Sequence, residues 1–176
     1  MLIDGGYPGT PPLIMASIAT RGFDVRDVRV LLNSDPHADH AGGRAALQRA
    51  SGAELRASDA SANALASGGH TRGCTSYSFS VRDGERVLQA VSACSLVMLQ
   101  AIRYPEQRAD FERTVRVLRG LPADVWVTSH GRLWGRYRKF AARDTARSPI
   151  EPFIDPEGYR AYVDGGEARL RRGVVQ

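Results

Sequence analysis

The sequence predicts an α/β fold, a sheet with helices on its outer faces. Three observations predict it. Short runs rich in β-branched residues and leucine alternate with helical stretches along the whole chain, as in 28–32 followed by 44–50 and 124–128 followed by 135–147. The residues with chemistry to offer stand at the ends of the predicted strands, where an α/β sheet places its ligands. The composition, 43% hydrophobic and 24% charged over 176 residues, suits one globular domain spanning 1–176 with a sizeable core.

Taken in order, Leu2-Ile3 reads as the end of a strand and Asp4-Gly5-Gly6 as a turn. Thr10 is a candidate N-cap with Pro11 at the first helical position, opening a helix to about Thr20 that is stopped at Gly22. Leu13, Ile14, Ser17 and Ile18 would form its buried face. Residues 28–32, Val-Arg-Val-Leu-Leu, read as a buried strand. A helix over 44–50 ends at Gly52, and 53–56 is a short strand. Ser58-Asp59 would cap a helix over 60–66. Residues 75–81 and 86–93 form a hairpin around Arg-Asp-Gly-Glu. After an irregular stretch containing Tyr104-Pro105, the spacing of Phe111, Val115 and Leu118 predicts an amphipathic helix over 106–119. A strand over 124–128 follows, then helices over 135–147 and 156–172, the last interrupted at Gly165-Gly166.

Between the second strand and the helix at 44 lies Asn33-Ser34-Asp35-Pro36-His37-Ala38-Asp39-His40-Ala41-Gly42-Gly43. His37, Asp39 and His40 are three potential metal ligands within four residues. Zinc takes imidazole nitrogen and carboxylate oxygen at ~2.0–2.2 Å, so it needs such clustering on backbone that cannot relax away. The chain has only four histidines, His37, His40, His70 and His130, and all sit in or beside glycine-rich turns. A lone histidine in such a place is usually a solvated turn residue. Four of four favour metal binding.

The stretch resembles the H-x-H-x-D-H motif of the metallo-β-lactamase superfamily, with Asp35 standing where the first histidine would be. Leu2-Ile3-Asp4-Gly5-Gly6 resembles the strand and turn upstream of that motif. Three further segments resemble class B β-lactamases of the third subclass: 69–79 around His70, Thr128-Ser129-His130-Gly131, and Asp155-Pro156-Glu157-Gly158-Tyr159-Arg160. The resemblance implies a four-layer αββα sandwich with a metal site in a cleft at one edge. Against full-length relatives the chain is shortened ahead of Leu2 and between Ala66 and His70, so the resemblance implies an incomplete sandwich with unpaired strand edges.

The resemblance also implies a ligand set and a reaction. One zinc would take Asp35, His37 and His70, and the other Asp39, His40 and His130. Three protein ligands leave a position open for water, which zinc acidifies to a pKa of ~7. The resulting hydroxide would attack the β-lactam carbonyl, with Asp39 orienting it and Ser95 hydrogen-bonding a metal-bound water. Val97 stands where relatives often carry a serine for the substrate carboxylate. Asp35 would make the first site more anionic and its water less acidic. Because Ala93-Cys94-Ser95-Leu96 contains no carboxylate, the lactamase-like reading is favoured over other hydrolases of the fold. Two alternatives stay open: another metallohydrolase acting on a phosphodiester or thioester, and a shortened, catalytically inactive remnant.

A net charge of +5 favours anionic partners, such as a carboxylate-bearing small molecule; the scattered arginines do not make a nucleic-acid signature. No apolar run approaches the ~18 residues of a membrane span. No signal peptide is visible at the N-terminus, whereas the resemblance implies export to the periplasm or secretion. Cys74 and Cys94 flank the hairpin, so either a disulfide or a pair of buried thiols fits the spacing.

Overall fold

Parallel strands joined by helical crossovers build the N-terminal sheet. The structure is a computed structural model that describes residues 1–56, 71, 73–97 and 105–173. Two compact units divide the chain, Met1–Ala66 with Gly73–Thr75 and Ser67–Arg72 with Ser76–Gln176. The helix expected over 60–66, His70 and Tyr104 lie outside the described residues.

In the first unit, β1 (Leu2–Ile3), β2 (Val30–Leu32) and β3 (Glu54–Arg56) form a parallel sheet in that order. Leu2 pairs with Leu31, and Ile3 with Leu32. Helix α1 (Pro11–Ala19) links β1 to β2, and α3 (Arg44–Ser51) links β2 to β3. The core is Val28, Leu31, Leu47 and Ala53, with Leu2, Ile14, Met15 and Ile18 packed against it. Two expectations for α1 are corrected. Leu13 is 72% exposed and Ser17 faces solvent; Met15 joins Ile14 and Ile18 on the inner face instead. Thr10 makes no side-chain cap bond. Strand β2 is shorter than expected because Val25–Asp27 forms a 3-10 turn, held by a reciprocal capping box between Asp24 and Asp27.

In the second unit, β4 (Tyr77–Asp83) and β5 (Arg86–Ala93) form the expected hairpin, and β6 (Val125–Thr128) pairs with β5 in parallel. Helices α4 (Gln107–Gly120) and α6 (Pro156–Gly173) pack on this sheet and on each other. Phe111, Val115 and Leu118 are buried as their spacing predicts, alongside Val91, Leu96, Trp126, Tyr159 and Val163. Gly165-Gly166 does not interrupt α6. A Cβ on Gly166 would lie 2.7 Å from Leu96 Cδ1, so this glycine admits a core side chain against the helix backbone.

The helix expected over 135–147 is divided. A 3-10 turn covers Gly131–Trp134, and α5 covers only Arg136–Arg143. Thr145 turns its hydroxyl and its N–H back onto the Ala142 carbonyl, and Pro149 bars continuation. Neither Cys74 nor Cys94 is a free thiol; both are disulfide-bonded, which sets aside the reading as buried thiols. No helix among the described residues is long and apolar enough to cross a membrane.

Candidate metal centre

At the C-terminal ends of β1 and β2 the two chains of backbone part, and polar residues fill the gap. Asp4 follows β1 with a φ of 65°, a left-handed conformation that aspartate tolerates better than most residues. Its Oδ1 accepts the Ser34 backbone N–H at 2.7 Å, and its Oδ2 accepts the Ser34 hydroxyl at 2.6 Å. The same Oδ2 lies 2.8 Å from His40 Nδ1. Two close backbone approaches bring these residues together. Gly5 N–H donates to the His40 carbonyl at 2.7 Å, and Gly43 N–H donates to the Gly6 carbonyl at 2.9 Å. A Cβ on Gly43 would sit 2.2 Å from the Gly5 carbonyl oxygen, so no larger residue fits. Gly43→Ala is expected to cost about 1–3 kcal/mol and to push the 33–43 segment off Asp4. Urea unfolding alongside zinc titration checks this.

The expected metal loop contains one helical turn, α2 (Ala38–Ala41), with His37 at its N-cap. Asp39 and His40 therefore sit on a first turn rather than on open loop, and His40 is buried. With Nδ1 held by Asp4, His40 directs Nε2 toward Asp39, whose Oδ2 lies 3.6 Å away. This second-partner arrangement fixes the imidazole tautomer in known zinc sites. The hydrogen bond to Asp4 raises the His40 pKa; burial opposes the rise, and the charges of Asp4, Asp39 and Asp35 add to it. Asp35 is 1% exposed, and its Oδ1 accepts the His37 N–H at 2.9 Å and lies 2.9 Å from His37 Nδ1. Asn33 Nδ2 donates to the Asp35 carbonyl at 2.7 Å. Asp35 is thus a buried carboxylate bound to its neighbour, not a solvated strand end.

The first unit holds four of the six expected ligands as two pairs, Asp35 with His37 and Asp39 with His40. These are the nitrogen and oxygen donors that zinc takes, held by a preformed partner shell, and they fit that metal. His70 lies outside the described residues.

Ser95 and His130 belong to the second unit. Ala93 pairs with Thr128, so both residues lie just beyond the ends of adjacent parallel strands. Ser95 is buried, and its Oγ accepts the Val97 N–H at 3.2 Å. His130 is exposed and stands at the N-cap position of the 3-10 turn, without a side-chain cap bond. The Tyr162 hydroxyl ties these two ends together. It accepts the Leu96 N–H at 2.9 Å, lies 3.0 Å from Thr128 Oγ1, and donates to the Cys94 carbonyl at 3.3 Å. Burial pushes the Tyr162 phenol upward, so it stays protonated and able to donate.

Asp4, Ser34 and Tyr162 are the supporting residues that reading the sequence missed. The signal for Asp4 was an acid directly between a strand end and a glycine pair. For Tyr162 no local signal exists, since its partners are 34 to 68 positions away.

Comparison with known proteins accords with this geometry. Residues 1–73 match the family model described as the metallo-beta-lactamase superfamily. The structure is similar to that of the Rm3 metallo-beta-lactamase, with a TM-score of 0.88 and 29% identity over 98% of this chain and 83% of that one. It is similar to MEM-A1, a subclass B3 metallo-beta-lactamase from a soil metagenome library, with a TM-score of 0.86 and 25% identity, covering 98% and 84% of the two chains. A third similar structure is LRA-12, a class B3 di-zinc metallo-beta-lactamase from an Alaskan soil metagenome (TM-score 0.84, 20% identity, 98% and 83% covered). At that identity the likeness speaks for the fold alone.

Proposed function

We propose, for a chain that has the metallo-β-lactamase fold and resembles the subclass B3 enzymes, that it is a zinc-dependent hydrolase opening the β-lactam ring. The supporting observation is the set of partners around the 33–43 segment: Asp4 and Ser34 hold His40, and Asp35 is held against His37. The proposal treats 1–176 as one domain and takes Asp35, His37 and His70 for one zinc, with Asp39, His40 and His130 for the other. Zinc, when bound, lowers the pKa of a coordinated water to ~7 and so supplies a nucleophile at neutral pH.

The chain's own residues do the rest. Asp4 keeps the proton on His40 Nδ1, so that Nε2 is the coordinating nitrogen. Asp39 orients the attacking nucleophile. Ser95, just beyond β5, would hydrogen-bond a water held at the metal centre. Location in the periplasm or outside the cell belongs to the same proposal.

The test is turnover of a chromogenic cephalosporin. Activity is expected to vanish with a strong chelator and to return with added zinc; no turnover by folded, zinc-loaded protein would refute the reading. The net charge of +5 supports a second reading, hydrolysis of a phosphodiester. Preferential turnover of a bis-aryl phosphate over the cephalosporin would select it.

A further inference from the structure

We propose that the exposed face of α5 is a docking surface for an anionic phospholipid bilayer. Between 132 and 147 the chain carries Arg132, Arg136, Arg138, Lys139, Arg143 and Arg147 against one acid, Asp144. Lys139 turns inward to an ion pair with Asp155. The five arginines are all exposed. The same helix exposes two aromatic rings, Tyr137 at 74% exposure and Phe140 at 38%. Phe140 rests edge-on against Phe153, with centroids 5.1 Å apart, so its position is fixed while one side stays open. The guanidinium of Arg136 lies 5.0 Å from the Tyr137 ring centroid and that of Arg143 lies 5.9 Å from the Phe140 centroid.

Helical spacing sets out the pattern. Tyr137 and Phe140 are three apart and share a face, and the guanidiniums of Arg136 and Arg143 lie against their rings. Arginines around exposed aromatics form the composition of a helix that lies in a membrane interface. The guanidiniums reach the phosphates, and the rings enter the boundary between headgroup and acyl chain, where amphipathic aromatics settle. A nucleic-acid groove fits less well: a helix entering one with this face would set Tyr137 and Phe140, not the arginines, against the base edges.

The experiment is flotation of the full chain with phosphatidylcholine vesicles, with and without phosphatidylglycerol. Binding is expected only to the anionic vesicles and is expected to weaken as salt rises. Each arginine removed should weaken it about fivefold, so Arg136→Ala with Arg138→Ala should cost about 25-fold. Both side chains are exposed, so the unfolding midpoint should hold. Arg29→Ala with Arg116→Ala, two exposed arginines elsewhere, serves as control. Tyr137→Ala should also weaken binding, because the rings insert. Equal loss in the control pair, binding to neutral vesicles, or preference for a short DNA duplex over anionic vesicles would overturn the proposal.

Discussion

Asp4→Asn is expected to lower zinc affinity by about 10–100-fold, the range seen when the partner of a metal-binding imidazole is removed. The substitution keeps the shape and, because asparagine tolerates the left-handed backbone as well as aspartate does, leaves the φ of 65° unstrained. The asparagine oxygen can still accept the Ser34 N–H. Its amide nitrogen then faces the Ser34 hydroxyl and His40 Nδ1, both of which donate to the Asp4 carboxylate. His40 loses its acceptor and its fixed tautomer, while the fold loses little. Asp4→Ala should behave differently. It strands the part-buried Ser34 N–H, at about 1–3 kcal/mol, and strains a non-glycine residue at positive φ. Competition with a chromogenic chelator reads the affinity, and urea unfolding reads the stability. Unchanged zinc affinity in Asp4→Asn would show that His40 is not held for metal binding.

The largest stability loss is expected at Asp155. Lys139 Nζ lies 2.7 Å from Asp155 Oδ2, and the lysine side chain is 1% exposed. The ammonium also stands 5.3 Å from the centroid of Trp126. Removing the carboxylate leaves a buried charge unpaired, which costs about 3–5 kcal/mol. Asp155 has a second task, since Oδ1 accepts the Gly158 N–H at 3.0 Å and caps α6. A lost cap adds about 1 kcal/mol. Asp155→Asn separates the two effects, because asparagine caps as well as aspartate but carries no charge. It should lose the ion-pair share alone. Asp155→Ala should lose both. Lys139→Met combined with Asp155→Asn should recover much of the loss, since a neutral pair strands no charge.

The sign of the pH dependence follows. Burial works to raise the Asp155 pKa, but the hydrogen bonds from Lys139 and the Gly158 N–H and the charge of Lys139 outweigh it, so the carboxyl titrates below its ordinary value. A pKa depressed by folding contributes stability above the unfolded value. That contribution is lost as the pH falls through the folded one. The stability advantage of the parent chain over Lys139→Met, read by urea unfolding, should therefore be full near neutral pH and shrink as the pH falls through the folded Asp155 pKa.

Much of the fold was legible because its signals are local. The spacing of Phe111, Val115 and Leu118 identifies the inner face of α4, and Asp83-Gly84 marks the hairpin. The misread elements have causes that lie elsewhere in the chain. Whether Gly165-Gly166 breaks a helix depends on Leu96, seventy residues upstream, which fills the space a side chain would take. Leu13 looks like a core residue by pattern, yet the core that α1 packs against takes Ile14, Met15 and Ile18. The ligand-type residues at 35–40 were legible as a cluster. Their support was not, since Asp4 meets His40 across 36 positions, a contact made by the pairing of β1 with β2 and the backbone bonds from Gly5 and Gly43.

The central claim is that the 33–43 segment holds zinc. Anomalous X-ray scattering at the zinc edge, from crystals grown with zinc, tests it most directly. A zinc ion is expected within ~2.0–2.2 Å of His40 Nε2 and an Asp39 oxygen, with Asp4 still on Nδ1. Zinc-soaked crystals with no anomalous peak at coordinating distance from His37, Asp39 or His40 would contradict it.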